Sequence, residues 1–187
     1  FVISGYLIGR LIMTKMSSRS FSFSDFYGRR ARRILPALTL VSVTTVVLSY
    51  FFLIDEQFEL ATRSALYLGI FVSNYFFVES ASDYWTQLNR YAQPLLHTWS
   101  ISVEEQFYIL FPLLLVLYFS IKNRFAKLTW SKKILELKYF IVGMLILAVF
   151  ISIESHKQNG FAAYYTMNGR GWELLAGVTL AAFSFQR

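Results

Sequence analysis

From Ile34 to Ile54, twenty-one consecutive residues carry no charge. At about 1.5 Å per residue, one helix of that length crosses the roughly 30 Å hydrocarbon core of a bilayer. A second uncharged run, Gln106 to Ile121, and a third, Tyr139 to Ile153, extendable back through Leu137 and Leu135, repeat the signal. Segments of this kind leave an ordinary soluble core few places to put them. The composition agrees, with 56% hydrophobic, 19% aromatic and only 16% charged residues. That is the profile of a polytopic membrane protein. The predicted fold class is therefore all-α, a polytopic transmembrane helix bundle, with residues 1–187 forming a single domain truncated at both ends.

Charge sets the expected topology. Seven of the 18 Lys and Arg residues fall in Arg10 to Arg33 and six in Lys122 to Lys138, so both stretches are predicted to be cytoplasmic loops by the positive-inside rule. Phe1 to Ile8 reads as the end of a transmembrane helix, and Pro36 falls in the first turn of the next span, where proline is tolerated. Asp55, Glu56 and Glu59 against Arg63 make an acidic outer loop. Ser64 to Val78 is short for a crossing and contains Asn74. Charge parity favours a re-entrant or interfacial segment there, leaving Tyr84, Trp85 and Tyr91 at the outer interface. Glu154 to Arg170 is predicted to be an outer loop, and Trp172 to Phe185 the return into the membrane.

A net charge of +7 could suggest a nucleic-acid partner. The basic residues, however, cluster in two loops beside apolar spans, which indicates topology and contact with membrane lipids instead. Cysteine is absent and the two histidines, His97 and His156, are far apart in sequence. No metal site is predicted.

Three polar constellations stand out. In Arg29-Arg30-Ala31-Arg32-Arg33-Ile34-Leu35-Pro36, helical spacing puts Arg30 and Arg33 on one face, with Arg29 and Arg32 on an adjoining one. Guanidinium forks match phosphate, so the ligand is a nucleotide-containing donor or an anionic lipid headgroup, and a plain topology anchor is the competing reading.

In Leu96-His97-Thr98-Trp99-Ser100-Ile101-Ser102-Val103-Glu104-Glu105-Gln106-Phe107-Tyr108, carboxylates enter an apolar run. Ionisable groups there cost roughly 2.5 to 3.5 kcal/mol each on insertion scales and are usually kept for a cavity, a relay or a buried partner. On one helix, His97, Ser100, Glu104 and Tyr108 share a stripe with Glu105 beside it, and Glu104 lies within reach of Ser100 and Tyr108. About 10 Å of axial rise separates His97 from Glu104, so these two cannot form a dyad alone. The structural alternative is that they brace neighbouring helices.

In Arg170-Gly171-Trp172-Glu173-Leu174-Leu175-Ala176-Gly177, Arg170 and Glu173 can pair three residues apart, and Gly177 allows close helix contact.

Together with Phe1-Val2-Ile3-Ser4-Gly5-Tyr6-Leu7-Ile8, these stretches resemble, in order, acyltransferase family 3, the integral membrane enzymes that O-acylate bacterial cell-surface glycans. The resemblance implies a bundle of about ten helices in the bacterial cytoplasmic membrane. It also implies acyl-CoA, by expectation acetyl-CoA, as donor substrate with no bound cofactor, and as acceptor a glycan or glycolipid such as lipopolysaccharide O-antigen or peptidoglycan.

It implies that Arg30 and Arg33, with Arg29 and Arg32, bind the donor. Glu104 and Glu105 would be catalytic, with His97 in support, and Trp99, Ser100, Tyr108, Arg170, Trp172 and Glu173 would support the site. The family's catalytic histidine is expected upstream of Phe1, so the fragment alone is expected to be inactive. Two other readings stay open on the sequence: a transporter or flippase for a glycan or other anionic solute, motivated by the broken segment at Ser64 to Val78, and a purely structural membrane subunit.

Overall fold

The computed structural model describes residues 1–18, 20–82, 93–125 and 130–184. Every regular element among them is helical: α1 (Val2–Ser17), α2 (Phe23–Phe52), α3 (Asp55–Gly69), α4 (Ser73–Ser82), a 3₁₀ turn (Leu96–Thr98), α5 (Trp99–Phe125), α6 (Trp130–Tyr165) and α7 (Met167–Ser184). Among the described residues, three stretches, Phe23–Phe52, Leu96–Ser120 and Glu136–Tyr165, are long and apolar enough to cross a membrane, and each covers all or nearly all of one of the uncharged runs. Only 6% of the most apolar stretch of α2 is buried, and Leu40, Tyr50, Phe51 and Phe52 are exposed. A surface so apolar is compatible with lipid and not with water. The chain is an all-α integral membrane protein.

The predicted basic loop from Arg10 to Arg33 is mostly helix. Helix α1 continues through Arg10 and Lys15, because basic residues are good helix formers and do not terminate a helix. Helix α2 starts well before the apolar run. Ser22 is its N-cap, with Asp25 N–H donating to Ser22 Oγ at 3.4 Å, and Asp25 stands in the first turn. Pro36 thus lies inside α2 and not in its first turn; lacking an N–H, it leaves the Arg32 carbonyl without its helical donor.

The chain divides into two compact units, residues 1–20 with 104–187, and residues 21–103. In the second of these, α3 and α4 replace the single segment predicted over Ser64 to Val78. Helix α3 ends in a Schellman arrangement: Phe71 N–H donates to Leu68 O and Val72 N–H to Tyr67 O, both at 2.9 Å. Phe71 takes the left-handed position, φ 57°, that glycine usually fills. The chain therefore turns, and no single helix spans Ser64 to Val78. Leu68, Phe76, Phe77 and Leu95 form the core of this unit, flanked by Leu38, Leu60 and Trp99. Ser73 Oγ shares a hydrogen bond of 2.8 Å with Ser102 Oγ, fixing the start of α4 against the first turn of α5. The predicted interfacial aromatics Tyr84, Trp85 and Tyr91 lie outside the described residues.

The other unit is organised on α7, which packs against both α1 and α6. Its buried face, Gly169, Gly171, Leu174, Leu175, Gly177, Val178, Ala181 and Ala182, alternates small and branched residues. A Cβ on Gly5 would collide with the Leu174 carbonyl, and one on Gly177 with Val2 O and, at 2.6 Å, Tyr6 N. The α1–α7 crossing is thus a backbone-to-backbone seam that only glycine permits. Tyr118 of α5 stacks on Phe140 of α6 with centroids 4.4 Å apart.

The predicted outer loop Glu154 to Arg170 is likewise helical. Helix α6 runs on past Ile153 and breaks at Asn159 (φ −155°, ψ 94°). There the side chain starts a new helical turn by accepting the Ala162 N–H at 3.1 Å. Polarity had suggested a loop, but these residues satisfy their backbone locally as helix and cap.

Candidate functional site

Glu104 sits one turn into α5, and its carboxylate is held from two sides. Ser4 Oγ of α1 donates to Oε1 at 2.9 Å, and Tyr108 Oη, one turn along α5, donates to Oε2 at 3.1 Å. The Tyr108 bond is the i,i+4 contact that the sequence predicts. The Ser4 bond joins residues one hundred apart in the chain. Hydrogen bonds to a carboxylate contribute about 1.5 to 3 kcal/mol each, so the group is fixed in orientation while remaining half-buried. Glu105 is buried at 8% exposure.

Ser100 does not join this set. Its Oγ donates to the His97 carbonyl at 3.3 Å. His97 lies in the 3₁₀ turn before α5, and its side chain is exposed. The predicted α-helical stripe from His97 to Tyr108 therefore begins only at Trp99, because the preceding turn winds at three residues per turn and not 3.6. Trp99 packs on the core of Leu68, Phe76, Phe77 and Leu95 within its own unit, residues 21–103.

Arg29, Arg30, Arg32 and Arg33 occupy successive positions in α2, with Arg29, Arg32 and Arg33 exposed and Arg30 half-buried. The helix gives Arg30 and Arg33 a common face, as their spacing predicts.

Arg170 and Glu173 pair within the first turns of α7, Nε to Oε1 at 3.1 Å. The angle is off the line of a hydrogen bond, so the contact is an ion pair. The guanidinium also lies over two rings, 5.1 Å from Tyr164 and 5.4 Å from Phe1. Trp172 is 37% exposed.

Two participants had no role in the sequence reading. Ser4 was one residue of an apolar motif, and the available signal was a hydroxyl in an otherwise apolar helix, next to a glycine. His156 enters the sequence analysis only as a histidine too far from His97 in sequence to suggest a metal site. It lies one turn after Ser152, and its Nδ1 is 2.8 Å from the Ser152 carbonyl.

The family described as an acyltransferase domain matches residues 1–187. An uncharacterized protein of Haemophilus influenzae is 35% identical over 185 residues, covering 98% of this chain and 72% of that protein. The O-acetyltransferase OatA of Staphylococcus aureus is 30% identical over 182 residues, 97% of this chain and 28% of the relative. The peptidoglycan O-acetyltransferase OatA of Listeria monocytogenes is 30% identical over 184 residues, again 97% and 28%. The chain thus spans little more than a quarter of the length of the OatA proteins. No solved structure matches it. Matched from its first residue to its last, the chain belongs to the acyltransferase domain family, acyltransferase family 3.

Proposed function

We propose that the protein moves an acetyl group from acetyl-CoA to a hydroxyl of a cell-surface glycan in the bacterial cytoplasmic membrane. The observation that carries this reading is the match, over 97% of this chain, to relatives named O-acetyltransferase and, in one case, peptidoglycan O-acetyltransferase. Peptidoglycan is therefore favoured over lipopolysaccharide as the acceptor. The basic stretches, Arg10 to Arg33 and Lys122 to Lys138, are assigned to the cytoplasmic side, where acyl-CoA is available.

In this reading a base takes the proton of the acceptor hydroxyl, and the oxygen attacks the thioester carbonyl. The new C–O bond forms as the C–S bond breaks, and CoA leaves as the thiol with that proton. The family resemblance assigns the base to a histidine outside these residues. Glu104 is suited to orient that base or relay its proton, because the Ser4 and Tyr108 hydroxyls already fix the carboxylate. Glu105 stands beside it, with His97, Trp99 and Ser100 shaping the preceding turn. Arg30 and Arg33, flanked by Arg29 and Arg32, are proposed to grip the donor phosphates. The test is transfer of label from acetyl-CoA to peptidoglycan by the intact protein in membranes. Label in lipid or water alone would defeat the glycan acceptor.

A further inference from the structure

The unit that holds Glu104 carries a cavity of about 300 Å³ with a mixed polar and apolar lining, to which the mechanism above assigns no step. Ser152 and His156 of α6 and Gly169, Arg170, Trp172 and Glu173 of α7 line it. It lies where α6 turns from apolar to polar: the uncharged run ends at Ile153, and Glu154 and Lys157 immediately beyond form an exposed ion pair of 2.8 Å. Charged pairs of this kind mark the level at which a spanning helix leaves hydrocarbon, so the cavity is within reach of water and of solutes dissolved in it.

The hydrogen bonds fix what the cavity offers. Ser152 Oγ donates to Gly169 O at 2.8 Å. His156 Nδ1 is 2.8 Å from the Ser152 carbonyl, which can only accept. Nδ1 therefore carries a proton, and in the singly protonated ring Nε2 is an acceptor. Glu173 supplies carboxylate oxygens, Arg170 a planar donor, and Trp172 an indole that is 37% exposed.

The charge count selects the ligand. Arg170 and Glu173 form an ion pair and cancel. A phosphate or other anion would have to compete with Glu173 for Arg170. A neutral hydroxyl-rich ring is matched instead. Its hydroxyls can donate to Nε2 and to the carboxylate and accept from the guanidinium, while a C–H face lies on the indole.

We propose that this cavity binds a neutral sugar ring of the acceptor, with His156 as a specificity-determining residue. The proposal rests on the glycan-acceptor reading above. It is tested with the intact protein in lipid nanodiscs, by equilibrium dialysis against radiolabelled N,N′-diacetylchitobiose. Saturable binding is expected, weakened at least tenfold by His156→Phe and by Trp172→Ala. His156→Gln, which keeps an acceptor oxygen, should recover most of the loss and shows that the scaffold tolerates substitution there. Excess inorganic phosphate should not compete. Absence of saturable binding, unchanged binding in both weakening variants, or displacement by phosphate would each overturn the proposal. Acetyl transfer measured on the same preparations separates the two ideas. Binding without transfer to any glycan defeats the acceptor reading alone, whereas transfer with an unchanged acceptor KM in His156→Phe and Trp172→Ala defeats the cavity alone.

Discussion

Replacing Gly177 by alanine adds one carbon where α1 and α7 touch backbone to backbone. That carbon would meet Val2 O and Tyr6 N, the latter at 2.6 Å. Neither atom belongs to a side chain that can rotate away, so the helices must separate by about 1 Å or more to reach ordinary contact. A gap of 0.5–1 Å forfeits about a quarter to a half of each dispersion contact across it, and the buried residues Ile8, Leu174, Val178 and Ala181 all lie along these two helices. Overpacking of this kind costs about 1–3 kcal/mol, and backbone on both sides places Gly177→Ala at the upper end, about 3 kcal/mol. For a chain of this size each kcal/mol moves the midpoint by roughly 2–4 °C, giving a fall of roughly 6–12 °C in detergent-solubilised protein followed by far-UV circular dichroism.

Gly143→Ala is the matched control. No atom lies within 4 Å of its added carbon, and replacing a mid-helix glycine stabilises by about 1 kcal/mol, so its midpoint should hold or rise. A Gly177→Ala midpoint equal to that of Gly143→Ala would refute the seam. The same separation would pull Ser4 from Glu104, now 2.9 Å apart, so acetyl transfer should fall in Gly177→Ala membranes even below the melting range.

Three further outcomes follow from the same geometry. Ser4→Ala and Tyr108→Phe each remove one hydrogen bond from the Glu104 carboxylate. Each should lower acetyl transfer about tenfold or more, at about 1.5 to 3 kcal/mol per bond. The double variant should fall short of additivity, and a strictly additive pair would show that the two hydroxyls do not act on one group. Arg30→Ala with Arg33→Ala should raise the KM for acetyl-CoA at least tenfold while the acceptor KM holds; an unchanged donor KM would remove the donor assignment. Asn159→Ala loses the cap on Ala162 and should cost about 1 kcal/mol, read as a midpoint lowered by roughly 2–4 °C, whereas Asn159→Asp should stay near the parent value.

The spans were legible because a bilayer reads composition almost directly: every backbone polar group must be satisfied inside the helix, so an uncharged run of sufficient length has one solution. Helix ends were less legible. The charge of Arg10 to Arg33 points to a loop, although Ser22 and Asp25 spell an N-cap signature two turns ahead of Arg30. At Glu154 to Arg170, polarity was read as loop, although Asn159 can cap a new turn as readily as it can break the old one.

Within the candidate site, the Glu104–Tyr108 and Arg170–Glu173 contacts were visible in the sequence because each is local on one helix, where i,i+3 and i,i+4 spacing fixes distance. By itself, then, the sequence determined the membrane fold, the acyltransferase family and these local pairs. Tertiary structure alone decided that Ser4 meets Glu104 across a hundred residues, that Gly5 and Gly177 let two backbones touch, and that Ser152 meets Gly169 beside a cavity. The reason is physical: helical periodicity fixes neighbours within one turn, whereas which faces of different helices meet depends on how small residues and branched side chains fit together in three dimensions.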